Sequence, residues 1–320
     1  MQYQKIGSDI YDPEHLYAAA RLYYEEGQGQ SEIAKKLKVS RPTVSRMLSQ
    51  AREEGIVQIK VIHPNTSSTQ ELSQRLAQAL GLERCYIAPG IQSPDALGNL
   101  GAGMSPVTRS AIKDMDLAVG DGLVVASGLA MYNVSRMELP QLRGVVIAPA
   151  VGGLAEPEPW HQTSEIARAL AQRTSSTYLP LFAGAIPSAA LYAALLEDNS
   201  YQQIKHLWAT ARGALVGIGS RTSGRTSLAS AIPKQSLQEA EGDICLHFFN
   251  EAGQELEFPG SDRTVRIPME DLARIPHTTA LAVGDEKVLP IITIAQTGVL
   301  TALITDEQTA NQVLTSLQLS

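Results

Sequence analysis

The stretch QSEIAKKLKVSRPTVSRMLS, residues 30–49, decides how the first part of the chain folds. Ile33, Ala34 and Leu37 share one face of a short helix over 31–37. A second helix fits 41–55. Ser40 is a good N-cap, Pro42 sits in the first turn where its missing N–H costs little, and Gly55 closes the end. Only three residues join the two, so the helices must cross steeply. Ala34 is small enough for that crossing, and Leu37, Val39, Val44 and Leu48 supply apolar contacts on both sides. Arg41, Thr43, Ser45, Arg46 and Gln50 are left outside on the second helix. This is a helix-turn-helix, whose second helix enters the major groove of DNA. Ser and Thr at the helix start bond phosphates or bases, and Arg reads guanine or clamps phosphate. Gln30, Ser31 and Lys35 of the first helix complete the candidate DNA contacts. Lys38 stands where such turns often carry glycine, which predicts a positive φ there.

The charge distribution agrees. The 320-residue chain carries a net charge of −7, so it is not basic all over. Within 33–52, however, there are six basic residues (Lys35, Lys36, Lys38, Arg41, Arg46, Arg52) and no acidic one. A local cationic stripe on an acidic protein is the footprint of a small nucleic-acid module on a larger body. One such module in one groove binds weakly, so the chain is expected to act as a homo-oligomer, a dimer or tetramer, on repeated half-sites.

On the N-terminal side, Leu16, Ala19, Ala20 and Tyr23 give a helix over 13–27, capped by Asp12 and ended by Gly27. On the C-terminal side, IVQIKVI (56–62) alternates like a strand and reads as a wing. Residues 1–62 thus form a winged helix-turn-helix domain. The polar HPNTSSTQ, 63–70, reads as a linker, and 71–320 as an effector-binding and oligomerisation domain. That domain opens with an amphipathic helix over 71–81.

From residue 85 apolar runs alternate with helical stretches. The runs are CYIA (85–88), LVVA (123–126), VVIAP (145–149), YLPL (178–181), ALVGIG (214–219), ICLHFF (244–249), ALAVG (280–284) and ALITD (302–306). Helices fit 163–174, 186–197 and 286–297. Continuous β-branched runs mark strands covered on both faces, and the alternation predicts a doubly wound α/β domain.

Catalytic signatures are missing. No GxxxxGK[ST], GxSxG, HExxH or strand-following GxGxxG occurs, and LGNLGAG (97–103) has its glycines in the wrong order. The six histidines show no ligand spacing, and Cys85 and Cys245 lie too far apart for a CxxC site. No cofactor or metal is expected. His247 reads as a strand residue rather than a base. The first residues lack the apolar core of a leader peptide, and no long apolar run spans a membrane, so the setting is cytoplasmic. Several strands instead end in small, amide-rich loops: Ala126-Ser127-Gly128, Val151-Gly152-Gly153 and Gly217-Ile218-Gly219-Ser220. Ligands of open α/β sheets bind beyond such strand ends. In ALAVGDEK (280–287), Lys287 is placed to reach an anion at a helix start, with Asp285 or Glu286 to accept hydroxyls.

Taken together, these residues resemble the SorC family of transcriptional regulators over nearly the full length. The matching pieces include the 22–61 stretch, VVIAPAVGG, HQTSEIARALAQ, LVGIGS, GDICLHFFNEAG and VGDEKVLPIITIAQTGVLTALITDEQTA. The resemblance implies a helix-turn-helix joined to an effector domain like the sugar-phosphate isomerases of the glucosamine-phosphate deaminase type. It also implies a tetramer that controls sugar or polyol operons in response to phosphorylated sugars. The effector positions implied are Ser127, Gly128, Gly152, Gly153, Asp243, Glu286 and Lys287. One departure stands out: in SGLAM (127–131), Ala130 and Met131 are apolar where relatives commonly carry a hydroxyl or a basic residue. Two other functions fit the same parts: a sugar-phosphate isomerase or deaminase fused to a DNA-binding module, and a constitutive DNA-binding oligomer without effector.

Overall fold

The computed structural model describes residues 11–57, 66–89, 103–154, 158–220 and 238–319. The chain divides into two compact units, Met1–His63 and Pro64–Ser320.

In the first unit, α1 (Pro13–Tyr24), α2 (Gln30–Leu37) and α3 (Arg41–Glu53) enclose a core of Leu16, Ala19, Ile33, Val44, Met47, Leu48 and Ala51. Asp12 caps α1 by accepting from the Glu14 amide at 3.1 Å. The predicted wing strand falls largely on 58–62, outside the described residues. Ile56 and Val57 pack on the helical core.

The second unit begins with α4 (Thr66–Leu80). Residues 66–70, read from sequence as linker, are therefore helical. Leu72, Leu76 and Leu80 are buried along one side of α4 and continue into the core of this unit. The strands that follow form one parallel sheet of seven. They are β1 (Arg84–Ala88), β2 (Gly122–Val125), β3 (Val146–Pro149), β4 (Thr177–Tyr178), β5 (Gly213–Gly217), β10 (His277–Leu281) and β11 (Ala302–Asp306), in the order β1-β11-β10-β5-β2-β3-β4. Burial along all of β2 and β11 explains their unbroken apolar sequences. The connecting helices include α5 (Met104–Asp114), α6 (Leu129–Val134), α7 (Thr163–Thr174), α8 (Ala189–Leu196) and α9 (Asn199–Thr210). They continue with α10 (Met269–Arg274), α11 (Val288–Gln296) and α12 (Glu307–Leu319). From β2 the chain moves outward through β3 to β4; from β5 it moves the opposite way through β10 to β11. The strand order thus runs outward in both directions and reverses between β2 and β5, the arrangement of a doubly wound sheet. Trp208, almost fully buried on α9, donates its Nε1–H to the Pro149 carbonyl at 2.9 Å and pins that helix to β3.

A second, antiparallel sheet corrects the sequence reading. ICLHFF is not one strand. It is two, β7 (Gly242–Ile244) and β8 (His247–Phe249), flanked by β6 (Gly219–Ser220) and β9 (Glu255–Leu256). The two-residue turn is Cys245-Leu246, with φ of 50° and 66°. Hairpin turns of this kind need positive φ at both positions and usually use Asn or Gly. Here two buried apolar residues adopt it. The Leu246 carbonyl is held by Arg266 Nη1 at 2.6 Å.

Candidate functional site

The first unit carries the candidate DNA surface. Lys38 closes α2 in the left-handed conformation, φ 54° and ψ 42°, as predicted. Its amide reaches the Lys35 carbonyl at 3.4 Å, and the Val39 amide donates to Ala34 O at 3.0 Å, so the chain turns straight into α3. Ser40 caps α3: its Oγ accepts from the Thr43 amide at 3.2 Å and lies 2.8 Å from Thr43 Oγ1. No acidic side chain occupies the first turn of α3, so nothing there repels a phosphate. Arg41, Ser45 and Arg46 are exposed on α3, and Ser31, Lys35 and Lys36 on α2, while Gln30 and Thr43 are half-buried. Glu32, the one acid of α2, accepts from the Gly29 amide at 3.0 Å, which holds it at the helix start. Gln50 is half-buried and spans the unit: its amide group donates to Glu54 at 2.7 Å and accepts from the Tyr11 backbone at 3.4 Å.

The second unit carries the candidate effector edge. β2 and β5 are neighbours, so the loops after them face each other where the winding reverses. A Cβ on Gly217 would lie 3.7 Å from Ala130 Cβ and 3.8 Å from the Ser127 carbonyl. Two residues beyond the end of β5 begins β6, and there Lys287 Nζ donates to Ser220 Oγ at 3.3 Å. Ser220 pairs with Gly242 across β6–β7, and the adjacent Asp243, buried, pairs with Gly219. Asp243 of β7 and Lys287 from beyond β10 thus both meet β6, just past the end of β5, whose neighbour β2 leads into Ser127.

The surroundings of Lys287 differ from the sequence reading in one respect. Residues 285–287 form a 3-10 turn, and α11 starts only at Val288. Lys287 is the N-cap. A cation beside the positive end of a helix is electrostatically unfavourable, and an anion there would relieve the helix end. Asp285 is bound by Gln308 and Gln312 of α12 at 3.0 and 2.9 Å. Exposed Glu286 folds back over Gly284, where a Cβ would meet its Oε2 at 2.7 Å.

The glycines behave differently from the anion cradle expected of them. Gly128 (φ 109°) donates its N–H to the Trp160 carbonyl at 2.8 Å. Gly152 donates to Val265 O at 2.8 Å and Gly153 to Ala183 O at 2.9 Å. All three amides are used within the fold. Gly152 is glycine for a packing reason: a Cβ there would sit 2.7 Å from the Gly184 backbone. Met131 is fully buried, so its apolar character reflects the core and says nothing about an effector. Ala130, half-buried, lies beside Gly217 at the end of β5.

The sequence reading missed an aromatic wall beside Ser127 and Gly128. Tyr132 and Trp160 meet edge to face at 6.3 Å between ring centres, and Arg136 lies 5.3 Å over the Tyr132 ring. Such surfaces suit the C–H faces of sugars. The available signal was a tryptophan preceded by two prolines in EPEPW, one of two tryptophans in the chain.

Residues 65–315 match the family model described as "Putative sugar-binding domain", and 16–60 match the homeodomain-like domain model. The chain is 29% identical over 311 residues to the deoxyribonucleoside regulator of Bacillus subtilis, covering 93% of this chain and 96% of that protein. It is 27% identical over 308 residues to the sorbitol operon regulator of Klebsiella pneumoniae, covering 92% and 96%. The crystal structure of that full-length regulator superimposes with a TM-score of 0.75 at 26% identity, over 95% of this chain and 99% of the other. With a DNA-reading unit and a sugar-binding unit both matched along the same chain, the protein belongs to the SorC family of sugar-responsive transcriptional regulators.

Proposed function

We propose that this chain is an operator-binding regulator of a carbohydrate-utilisation operon, working as a cytoplasmic homo-oligomer and set by a sugar phosphate bound at the Lys287 edge. The observation that carries the reading is the Lys287–Ser220 contact at the edge shared by β2 and β5. It brings a cation and a hydroxyl together just beyond β5, the neighbour of the strand whose following loop carries Ser127. The phosphate meets Lys287, and hydroxyls meet Asp243 or Glu286. Arg41, Thr43, Ser45 and Arg46 of α3 read or clamp the operator, with Gln30, Ser31 and Lys35 on the flanking phosphates. The relatives, a deoxyribonucleoside regulator and a sorbitol operon regulator, support a carbohydrate effector.

This reading makes the second unit a binding domain rather than an enzyme. An acid–base pair must converge on one substrate atom. Asp243 is buried in β7, whereas Glu286 is exposed and folded over Gly284. A second effector class, unphosphorylated sugars or polyols, is favoured by Ala130, which brings no polar group beside Gly217. Thermal unfolding with a panel of sugar phosphates, free sugars and polyols tests the proposal, because a ligand that binds only the native state raises the melting temperature. Stabilisation by one sugar phosphate supports it; stabilisation by free sugars alone selects the second class; no shift with any of them contradicts both.

A further inference from the structure

Helix α8, AALYAALL over Ala189–Leu196, contains not one buried residue. Its only polar atom on a side chain is the Tyr192 hydroxyl. Leu191 is 58% exposed and Leu196 38%, and Phe182, just upstream, is 78% exposed. Short helices draw their stability from packing an apolar face, and this one packs little of its own. Half-buried Tyr192 and Leu195 pack it on the core, and its outer face keeps Leu191, Leu196 and the alanines exposed. Scattered exposed apolar residues are ordinary; a contiguous apolar helix face is an interaction surface.

The charges at its two ends indicate what covers it. At the N-terminal end Arg263 donates from Nε to the Pro187 carbonyl at 2.9 Å, next to the N-cap Ser188; its other ion-pair contact is exposed Asp262 at 3.5 Å. At the C-terminal end stands exposed Glu197. The helix is thus positive at its start, by dipole and by Arg263, and negative at its end. A second copy of α8 laid antiparallel across a two-fold axis sets each Arg263 against the other copy's Glu197. The alanines Ala189, Ala190, Ala193 and Ala194 let the helices come close. Such a self-complementary pattern is what an isologous interface requires.

We propose that α8 pairs with α8 of a second copy of this chain and forms the centre of a homodimer interface. The proposal rests on the oligomeric reading above and names its surface. The test measures the mass of the full-length chain in solution by light scattering, for wild type, Leu191→Asp, Glu197→Arg and Glu197→Arg/Arg263→Glu. The expected result is an oligomeric wild type, a mass at least halved by Leu191→Asp, weaker association by Glu197→Arg, and recovery in the double variant. Circular dichroism confirms that each variant is folded; if the double variant is unfolded, Leu191→Asp, altered only at an exposed position, decides. A monomeric wild type overturns both this proposal and the oligomeric reading. An oligomeric wild type whose mass Leu191→Asp leaves unchanged overturns the α8 surface alone, and so does loss of binding to phospholipid vesicles in that variant with its mass intact.

Discussion

Lys287 Nζ donates to Ser220 Oγ across 3.3 Å and so ties the turn after β10 to the strand that follows β5. An effector that takes the lysine's charge must compete with, or extend, that contact. It thereby changes how β6 and the hairpin behind it are held. Lys287→Ala should therefore abolish the change in operator affinity caused by the effector, and leave effector-free DNA binding as in wild type, because α3 lies in the other unit. Fluorescence anisotropy with labelled operator, with and without effector, checks both halves of that statement.

The DNA surface makes a different demand. Arg46→Ala should lose about 1–3 kcal/mol on the cognate operator if Arg46 reads a base. Lys35→Ala should weaken cognate and random duplexes alike and reduce the salt slope by about one, as expected for a single phosphate contact. Titrations at several salt concentrations separate the two behaviours. Cognate affinity undiminished in an Arg41→Ala/Arg46→Ala variant would place the interface elsewhere.

Gly152 gives a test that needs no ligand. Its Cβ would meet the Gly184 backbone at 2.7 Å, and backbone yields less readily than a flexible side chain. Gly152→Ala should cost about 1–3 kcal/mol through overpacking. Denaturant unfolding without effector should show that loss in full; a variant as stable as wild type would return Gly152 to the effector site.

The acid limb of stability has an identifiable contributor. Burial favours the protonated form of Glu255 and is the largest single influence. Hydrogen bonds and charges from His247 and Arg266 together outweigh it, so its carboxyl stays below its ordinary value. Glu255 Oε1 lies 2.7 Å from His247 Nδ1 and 3.0 Å from Arg266 Nη2. A depressed folded pKa contributes stability above the unfolded value, about 4.3, and that stability is lost as pH falls through the folded value. Glu255→Gln should melt below wild type at neutral pH, with the gap narrowing as the medium is acidified past about 4. Melting curves across pH would refute this by showing a constant gap.

Local signals made some of the architecture readable. The helix of residues 163–174 was bounded correctly, and α3 was marked at its start by Ser40 and Pro42. Lys38 was readable because it stands where the turn of a helix-turn-helix often carries glycine, the residue that takes positive φ freely. The hairpin at 242–249 was not readable. Its turn residues, Cys245 and Leu246, are apolar and take their conformation from tertiary packing rather than from local preference. YLPL shrinks to Thr177–Tyr178 because Pro180 cannot donate to a ladder. At the candidate site, the strand-end glycines have other partners than the anion cradle read into them. Gly152 answers to Gly184, and Gly128 to Trp160, partners some 30 residues away that no local pattern announces. The place of Lys287, just beyond a strand-end glycine and before a helix, was legible because it is a local feature.

The most direct test of the account titrates the full-length chain with an operator selected from random duplexes, in the presence and absence of each sugar phosphate that stabilises it. The account predicts that one such ligand changes operator affinity about 5–150-fold, the span of a coupling free energy of 1–3 kcal/mol. A ligand that binds at the Lys287 edge yet leaves operator affinity unchanged would contradict it.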